Sequence, residues 1–427
     1  MSNSVESRLK ALALRLERRP RTKQLMSEND ACMQADASLS PGGLALLAGL
    51  AALGALATNI MLPGFPDMAA DLGVLPRDLA WTLSSFFIAF AFGQLLVGPL
   101  SDGFGRAPFV LGGLAVFVVG SLVSVFAPSL PTLIVGRVIQ ALGACAASVL
   151  SRAIARDLYS GLALTRALAL VMIAMAAAPG FSPMLGTAIT GFFGWRSTFV
   201  LVAAAGVILG VYYHFSAGET LSAERRSPAR PVAVGAAYCA LIINPRFIAP
   251  ALTVSLVIGC LYTFFGAAPA ILMTGMGMSS TGLSTFFAAT VFVVFGSGFV
   301  APRLARRWSA APVGMAGIVV AMTGSLWLVL RIDVLSQAEF MIAVTIFLLG
   351  MGLINPIGTA IALEPFGDRA GIASALLGFL QMGCAAVGTA LVGAMPLSAI
   401  AAYSVITAGG TTLAALTFLP ALRARRY

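Results

Sequence analysis

The sequence predicts an all-α membrane protein with twelve transmembrane helices in two six-helix halves. Of 427 residues, 59% are hydrophobic and 10% are charged, whereas a soluble domain averages about 25% charged residues. Apolar runs recur along the chain, and about 20 residues suffice for a helix to cross a hydrocarbon core about 30 Å thick. The predicted spans lie at 43–63, 80–100, 108–127, 131–150, 165–190, 195–214, 249–273, 283–302, 311–330, 338–361, 370–393 and 397–420.

The first 42 residues form a basic tail. They contain no long apolar region, so they do not resemble a signal peptide. The leucine spacing of residues 5–17 would suit a surface amphipathic helix. Because nothing offers a partner for that apolar stripe, a mostly disordered tail is favoured. Met26 and Met33 are alternative start sites.

Arginines alternate between the two sides of the predicted spans, which sets the orientation. Basic loops normally lie in the cytoplasm, so both termini are expected there. The opposite side holds only three arginines, Arg77, Arg196 and Arg331. The side of the basic tail holds Arg106, Arg152, Arg156, Arg166, Arg225, Arg226, Arg230, Arg246, Arg303, Arg306, Arg307, Arg369, Arg423, Arg425 and Arg426.

A polar stretch at 216–248 divides the chain into halves at 43–215 and 249–420, and residues 421–427 form a second short cytosolic tail. Residues 296–312, with Arg303, Arg306 and Arg307, follow the second span of their half as residues 98–108 do in theirs. Duplicated halves are typical of transporters, whose substrate path lies between the halves near the midplane.

Several function classes are excluded. The net charge of +10 does not indicate nucleic-acid binding, because the bases lie between spans and form no aromatic-interleaved groove. One histidine, His214, makes neither a metal site nor a triad and is expected at the interface. No Gly-Lys-Ser/Thr phosphate loop occurs, so we expect no cofactor and an ion gradient as energy source. Free thiols are expected for Cys32, Cys145, Cys239, Cys260 and Cys384.

Four segments carry a family resemblance. They are 98–108 (GPLSDGFGRAP), 137–143 (RVIQALG), 178–186 (APGFSPMLG, followed by Gly194-Trp195-Arg196) and 59–67 (NIMLPGFPD). Together they resemble the major facilitator superfamily, and more narrowly its Bcr/CflA-type drug:proton antiporters, over residues 43–420. The resemblance implies that superfamily's fold and alternating access.

The first segment predicts a gate in a turn between spans two and three. Glycines at 98 and 105 allow tight turns, and Asp102 suits a helix end. The resemblance implies that Asp102 and Arg106 latch the halves when the protein is closed to the cytoplasm. The alternative is a charged turn that only sets topology. Asp102 is the only acid in this pair of loops.

Arg137 is the only base placed inside a predicted span, where an uncompensated charge costs at least about 2.5 kcal/mol. The resemblance implies a role in proton coupling. Snorkelling or a structural hydrogen bond to backbone carbonyls is the alternative. Downstream, residues 152–157 (RAIARD) resemble the cytoplasmic end of the same span in the family.

Pro179, Pro183 and Gly186 predict a fifth span that bends and slides against its neighbour. The resemblance associates this pattern with exporters, and a plain packing kink is the alternative.

The fourth segment departs from the family. Relatives commonly carry Asp-Met-Tyr-Leu-Pro where this chain has Asn59 and Met61. Asparagine hydrogen-bonds but does not titrate, so cation selectivity and the usual proton site do not carry over. The acids left for coupling lie at span ends, and Asp102 is the candidate beside Arg137. The others are Asp67, Asp71, Asp157, Glu364 and Asp368.

An adaptable, largely apolar pocket suited to a neutral or amphiphilic molecule is expected between the halves. For each aromatic or methionine, ordinary packing is the alternative, whereas an intramembrane amide needs a partner. The substrate-binding candidates are Asn59, Met61, Gln94, Gln140, Tyr262, Phe265, Asn355 and Gln381, with Phe264 and Met382 beside them.

These observations predict a monomeric secondary transporter of the bacterial inner membrane that exports a hydrophobic or neutral drug-like compound in exchange for protons. The alternative is a transporter of one specific metabolite, which Asn59 favours. A membrane enzyme would need an intramembrane cluster of His, Asp, Glu or Cys, which the spans lack. A channel or receptor would differ from a carrier in counterflow.

Overall fold

The computed structural model describes residues 40–226 and 231–423, and this part of the chain contains twelve helices long and apolar enough to cross a membrane. The predicted number of spans is confirmed. The predictions for residues 1–39 and 424–427 lie outside the described residues. Spans 1 to 12 are Pro41–Leu72, Pro76–Phe104, Arg106–Val125, Leu130–Leu158, Gly161–Phe193, Arg196–Ser216, Pro245–Gly275, Ser280–Trp308, Ala310–Leu330, Gln337–Gly367, Ala370–Ala394 and Ala399–Leu422.

The two ends of the bundle differ. We call the end with Pro41, Leu422 and the connection between spans 6 and 7 the terminal face. The other end, with the connections from span 1 to span 2 and from span 7 to span 8, is the far face. Because the number of spans is even, the start of span 1 and the end of span 12 lie at the same face.

Several helices extend beyond their predicted spans. Span 2 continues through Gly98 and Pro99 to Phe104, so the predicted turn at 98–108 was wrong in extent. Only Gly105 breaks the helix, with φ of +101°, a conformation that favours glycine. The reason is that hydropathy marks the residues within hydrocarbon, whereas helical hydrogen bonding continues through the polar helix ends.

The stretch predicted as a polar linker contains an apolar helix at its centre. This linker helix, Pro231–Ile242, is 12 residues long, too short to cross a membrane. It packs beside spans 7 and 11. The Tyr238 hydroxyl donates a hydrogen bond to the Leu95 carbonyl of span 2 at 3.1 Å, so the helix contacts both halves.

The two halves repeat one packing arrangement. In the first half, span 3 packs against spans 4 and 6, and span 1 packs against spans 4 and 5. In the second half, span 9 packs against spans 10 and 12, and span 7 against spans 10 and 11. The halves join along two equivalent seams, span 2 against span 11 and span 5 against span 8.

Glycines bring helix backbones together at equivalent points of the two halves. A Cβ at Gly143 of span 4 would overlap the Gly113 carbonyl oxygen of span 3, and a Cβ at Gly350 of span 10 would overlap the Gly317 carbonyl oxygen of span 9. Small residues allow such close approach between membrane helices. The sequence Gly-Ser-Leu recurs beside these contacts, at 120–122 and 324–326.

We expect Gly143→Val and Gly350→Val each to lower the free energy of unfolding by about 1–3 kcal/mol, since backbone atoms must move apart. The control is Gly112→Ala in span 3, where an added Cβ has no neighbour within 4 Å and helix propensity improves. Thermal unfolding of the purified protein in detergent measures all three. Equal losses in the three variants would contradict the backbone-contact explanation.

Candidate functional site

Arg106, the first residue of span 3, is held at the terminal face by two carboxylates. It is 7% exposed. Its Nη1 lies 2.6 Å from Asp102 Oδ1, and its Nε lies 3.0 Å from Asp157 Oδ2 of span 4. The guanidinium also donates to the Ser101 hydroxyl. Asp102 and Arg106 are therefore paired, and Asp157 joins them from a third helix. All three residues belong to the first half, and the latch between the halves stays a prediction.

Glu219 is a member of this cluster that sequence reasoning missed. It lies three residues beyond span 6, and its Oε1 accepts hydrogen bonds from the backbone N–H of Arg106 at 2.9 Å and of Leu221 at 3.0 Å. It thereby satisfies the free N–H groups that begin span 3. The Gly105 turn makes room for it, because a Cβ there would overlap Glu219 Oε2.

The environment of Glu219 favours its ionised form. Partial burial opposes ionisation, but the backbone N–H groups of Leu221, Arg106 and Ala107 and the nearby Arg226 guanidinium hold its pKa below the usual range. Arg226 Nη2 lies 3.5 Å from Glu219 Oε2. The one signal in the sequence was an acid close to the end of span 6, in a connection that also carries Arg225, Arg226 and Arg230.

The second half has no equivalent cluster in the described residues. Arg303, Arg306 and Arg307 at the end of span 8 are exposed, and none forms an ion pair with a described carboxylate. The Arg303 guanidinium instead lies 3.9 Å from the centre of the Phe299 ring. The charge asymmetry expected from the sequence is therefore present.

Arg137 lies in the interior of the first half and is 0% exposed. Its Nη1 donates to the Ala57 carbonyl of span 1 at 3.1 Å and to Gln140 Oε1. Its guanidinium lies 4.4 Å from the centre of the Phe86 ring, a favourable cation–π distance. Within the described residues it has no carboxylate partner, and its Nε and Nη2 have no hydrogen-bond partner.

Gln140 connects Arg137 to span 3. Its Nε2 donates to the Ser121 hydroxyl at 2.7 Å, and that hydroxyl donates to the Phe117 carbonyl at 2.7 Å. Arg137 and Gln140 precede the close-packed Gly143 of span 4. In span 10 the residues that precede the equivalent Gly350 by the same numbers of positions are Val344 and Phe347. The polar network therefore belongs to the first half alone.

The substrate-binding candidates do not gather at one point. Asn59 is 1% exposed, and its Nδ2 donates to the Ala55 carbonyl and the Thr58 hydroxyl of its own span; its Oδ1 has no partner within the described residues. Met61 is a core residue, 1% exposed. Asn355 and Gln381 are half-buried.

Aromatic candidates cluster between the halves. The Tyr262 ring centre of span 7 lies 4.8 Å from that of Phe87 in span 2 and 5.7 Å from that of Phe265. Gln94 instead lines a polar cavity at the terminal face. Sequence spacing does not determine how each helix is rotated about its own axis. The candidates therefore point in different directions and do not line one pocket.

Span 5, for which the proline and glycine pattern predicts bending and sliding, lies at a seam between the halves. The helix continues through Pro179 and Pro183. A Cβ at Gly186 would overlap the Ile60 carbonyl oxygen of span 1, and one at Gly180 would overlap the Val291 side chain of span 8. Span 5 thus approaches its own half and the other half closely.

Two serines hold the seams near the far face. Ser84 Oγ donates to the Ala386 carbonyl of span 11 at 2.8 Å, and Ser284 Oγ donates to the Pro183 carbonyl of span 5 at 3.1 Å. Each is the fifth residue of its helix, Ala80–Phe104 and Ser280–Trp308. We call Ser84 and Ser284 the serine pair. Each half donates one bond and accepts the other.

Comparison with known proteins decides the family. The sequence pattern of the Major Facilitator Superfamily matches residues 47–389. The chain belongs to the major facilitator superfamily. It is 30% identical over 363 residues to the uncharacterized MFS-type transporter YdgK of Bacillus subtilis (strain 168), covering 83% of this chain and 90% of that protein. It is also 30% identical over 344 residues to multidrug resistance protein D of Escherichia coli (strain K12), covering 79% of this chain and 85% of that protein.

Solved superfamily structures share the fold. The D-xylose-proton symporter superposes with a TM-score of 0.69 over 88% of this chain and 96% of its own, at 15% sequence identity. With these relatives and twelve apolar helices, the chain is a multi-pass inner-membrane transporter of this superfamily and not an enzyme.

Loss of the Glu219 carboxylate should expose the beginning of span 3. We expect Glu219→Ala to lower the free energy of unfolding by about 1 kcal/mol, the usual cost of a lost helix cap. Glu224→Ala, which removes an exposed acid from the same connection, is the matched control. Thermal unfolding at pH 7 measures both, and equal stability of the two variants would contradict the capping role.

The same carboxylate should give an acid-dependent stability. Because the folded pKa of Glu219 lies below its usual range, its contribution is complete above about pH 4.3, the ordinary value, and is lost as the pH falls through the folded pKa. The difference in unfolding temperature between wild type and Glu219→Gln should therefore stay constant from pH 7 to 5 and narrow below about pH 4.

Removal of either serine-pair hydroxyl should loosen the far face. A hydrogen bond between membrane helices is worth about 0.6 kcal/mol, so Ser84→Ala and Ser284→Ala should each raise far-face opening about threefold. The readout is thiol labelling of Met61→Cys in a cysteine-free background. Ser85→Ala is the control, since Ser85 bonds within its own helix. If Met61→Cys were labelled as fast in the Ser85→Ala control as in the two serine-pair variants, the serine pair would not hold the far face closed.

Proposed function

We propose that the protein exports a hydrophobic or neutral drug-like compound from the cytoplasm in exchange for protons. The observation that carries the proposal is the charge content of the interior. Arg137 is fully buried without a carboxylate partner among the described residues, and span 1 presents Asn59 where relatives commonly carry an acid. A cationic substrate would have no counter-charge there, whereas an uncharged one needs none.

The drug class is inferred from a relative. Multidrug resistance protein D matches 79% of this chain, and its name assigns it resistance to drugs. The aromatic contacts of Tyr262 with Phe87 and Phe265 supply an apolar surface between the halves, which favours a hydrophobic substrate.

Transport would proceed by alternating access. The two halves rock about their seams, spans 2 and 11 and spans 5 and 8, with the substrate between them. The serine pair would hold the far face closed while substrate enters from the terminal face, and the Asp102–Arg106–Asp157 cluster would reorganise when the terminal face closes. The close approaches at Gly180 and Gly186 would let span 5 slide.

Proton coupling is assigned to the first half. Asp102 is the carboxylate candidate at the terminal face, and Arg137 would position water or substrate near the midplane. The terminal face would lie in the cytoplasm because it carries most of the arginines, and the protein would act as a monomer.

The alternative is a carrier for one specific metabolite without multidrug activity. Asn59 favours it, because an amide that hydrogen-bonds without titrating suits recognition of a defined polar group.

The test is drug transport into proteoliposomes under an imposed pH gradient. We expect gradient-driven transport by the wild type, a loss of about tenfold or more in Arg137→Met, and retention in Arg331→Met, an exposed arginine at the far face. Asn59→Asp should add transport of cationic dyes. Transport of no drug in a broad panel would favour the metabolite carrier. Gradient-independent transport by both wild type and Asn59→Asp would remove the antiport mechanism.

A further inference from the structure

A polar cavity of about 280 Å³ opens between the halves at the terminal face. We call it the seam cavity. Its walls come from spans 2 and 4 and Arg106 of span 3 in the first half, and from span 11 and Tyr238 of the linker helix. Asp102, Arg106 and Asp157 of its wall belong to the ion-pair cluster described above, whereas Arg152, Arg156 and Ser374 have no role in the proposed transport.

Two arginines that line the seam cavity have no carboxylate partner among the described residues. Arg152 and Arg156 of span 4 lie one turn apart and line it. Both carboxylates in the wall, Asp102 and Asp157, are bound by Arg106. Neither Arg152 nor Arg156 forms an ion pair or a hydrogen bond with a described side chain. Two guanidinium groups so close repel each other unless an anion lies between them.

A buried amide also faces the cavity without a partner. Gln94 is 6% exposed, lines the cavity, and makes no hydrogen bond within the described part of the chain. Its amide oxygen and nitrogen are open to the cavity, so they are available to hydrogen-bond with a molecule bound there.

The opposite wall supplies further donors. Gly371 lies in the first turn of span 11, which begins at Ala370, and Ser374 begins the second turn. The first N–H groups of a helix have no partner within the helix, and their dipole favours negative charge. The Ser374 hydroxyl is an additional donor.

We propose that the seam cavity binds a phosphate group, held by Arg152 and Arg156 on one side and by Ser374 and the start of span 11 on the other, with Gln94 donating from its floor. Guanidinium groups bind phosphate oxygens in a bidentate manner, and a helix N-terminus is a common phosphate site. A tetrahedral anion accepts hydrogen bonds from several directions at once, which matches donors on opposing walls.

The phosphate could come from a free anion or from the headgroup of an anionic phospholipid, since the cavity lies at the membrane surface. In either case it would contact both halves. Binding would therefore favour the arrangement in which spans 4 and 11 stand this far apart.

The experiment measures binding without transport, so its result is independent of the proposed export. Full-length protein in detergent, stripped of lipid, is titrated with sodium phosphate against sodium chloride at equal ionic strength, and thermal unfolding is recorded. In a second arm, nanodiscs of phosphatidylcholine are compared with nanodiscs containing phosphatidylglycerol.

The variants are Arg152→Gln/Arg156→Gln, the milder Arg156→Gln, whose side chain is exposed, and Ser374→Ala. The control is Arg166→Gln, which removes an exposed arginine of span 5 outside the cavity. We expect phosphate to stabilise the wild type and the control, and the double variant to bind at least about tenfold more weakly.

Stabilisation by phosphate with no effect of phosphatidylglycerol would identify a soluble ligand. A phosphatidylglycerol effect that depends on Arg152 and Arg156 would identify a lipid headgroup. Either supports the site. Equal responses of the wild type and both arginine variants in both arms, or responses to phosphate no larger than to chloride, would overturn it.

Discussion

Close contact between helix backbones is the interaction on which the rest of this structure depends. Apolar side chains gain little by leaving hydrocarbon for another helix, so membrane helices associate through packing and hydrogen bonds. Gly120 packs directly on the backbone of Gln140, and this contact places the neighbouring Ser121 within reach of the Gln140 amide. Gln140 in turn holds Arg137. The buried charge is therefore supported by a glycine of the adjacent helix.

The charges are sorted by depth. Asp102 and Asp157 pair with Arg106 at the terminal face, whereas Arg137 is solvated by a carbonyl, an amide and a π face. Such partners hold a guanidinium without neutralising it, so the interior keeps a positive potential that an acid would cancel. The second half, with Val344 and Phe347 in the equivalent positions, is apolar there. The two halves share their helix packing, whereas the polar network of Arg137, Gln140 and Ser121 is found in the first half only, among the described residues.

Much of the fold could be predicted from the sequence because its signals are local. Span number follows from hydropathy, and the Asp102–Arg106 contact follows from a separation of only four residues around the turn at Gly105. Glu219 could not be placed, because it meets Arg106 across 113 residues. The serine pair gave no signal, since serine is common in helices. The eight proposed pocket residues were dispersed because helix rotation is set by neighbouring helices, which a single span does not encode.

The Glu219 cap also limits how far the connection between the halves can reach. Glu219 and its partner Arg226 fasten the first part of that connection to the start of span 3, and the linker helix begins at Pro231. Only five peptide steps separate Arg226 from Pro231, and a fully extended chain of that length covers about 17 Å. The tether between the halves is thus much shorter than the distance from span 6 to span 7 along the sequence suggests, and it sets an upper bound on how far the linker helix can move from the first half.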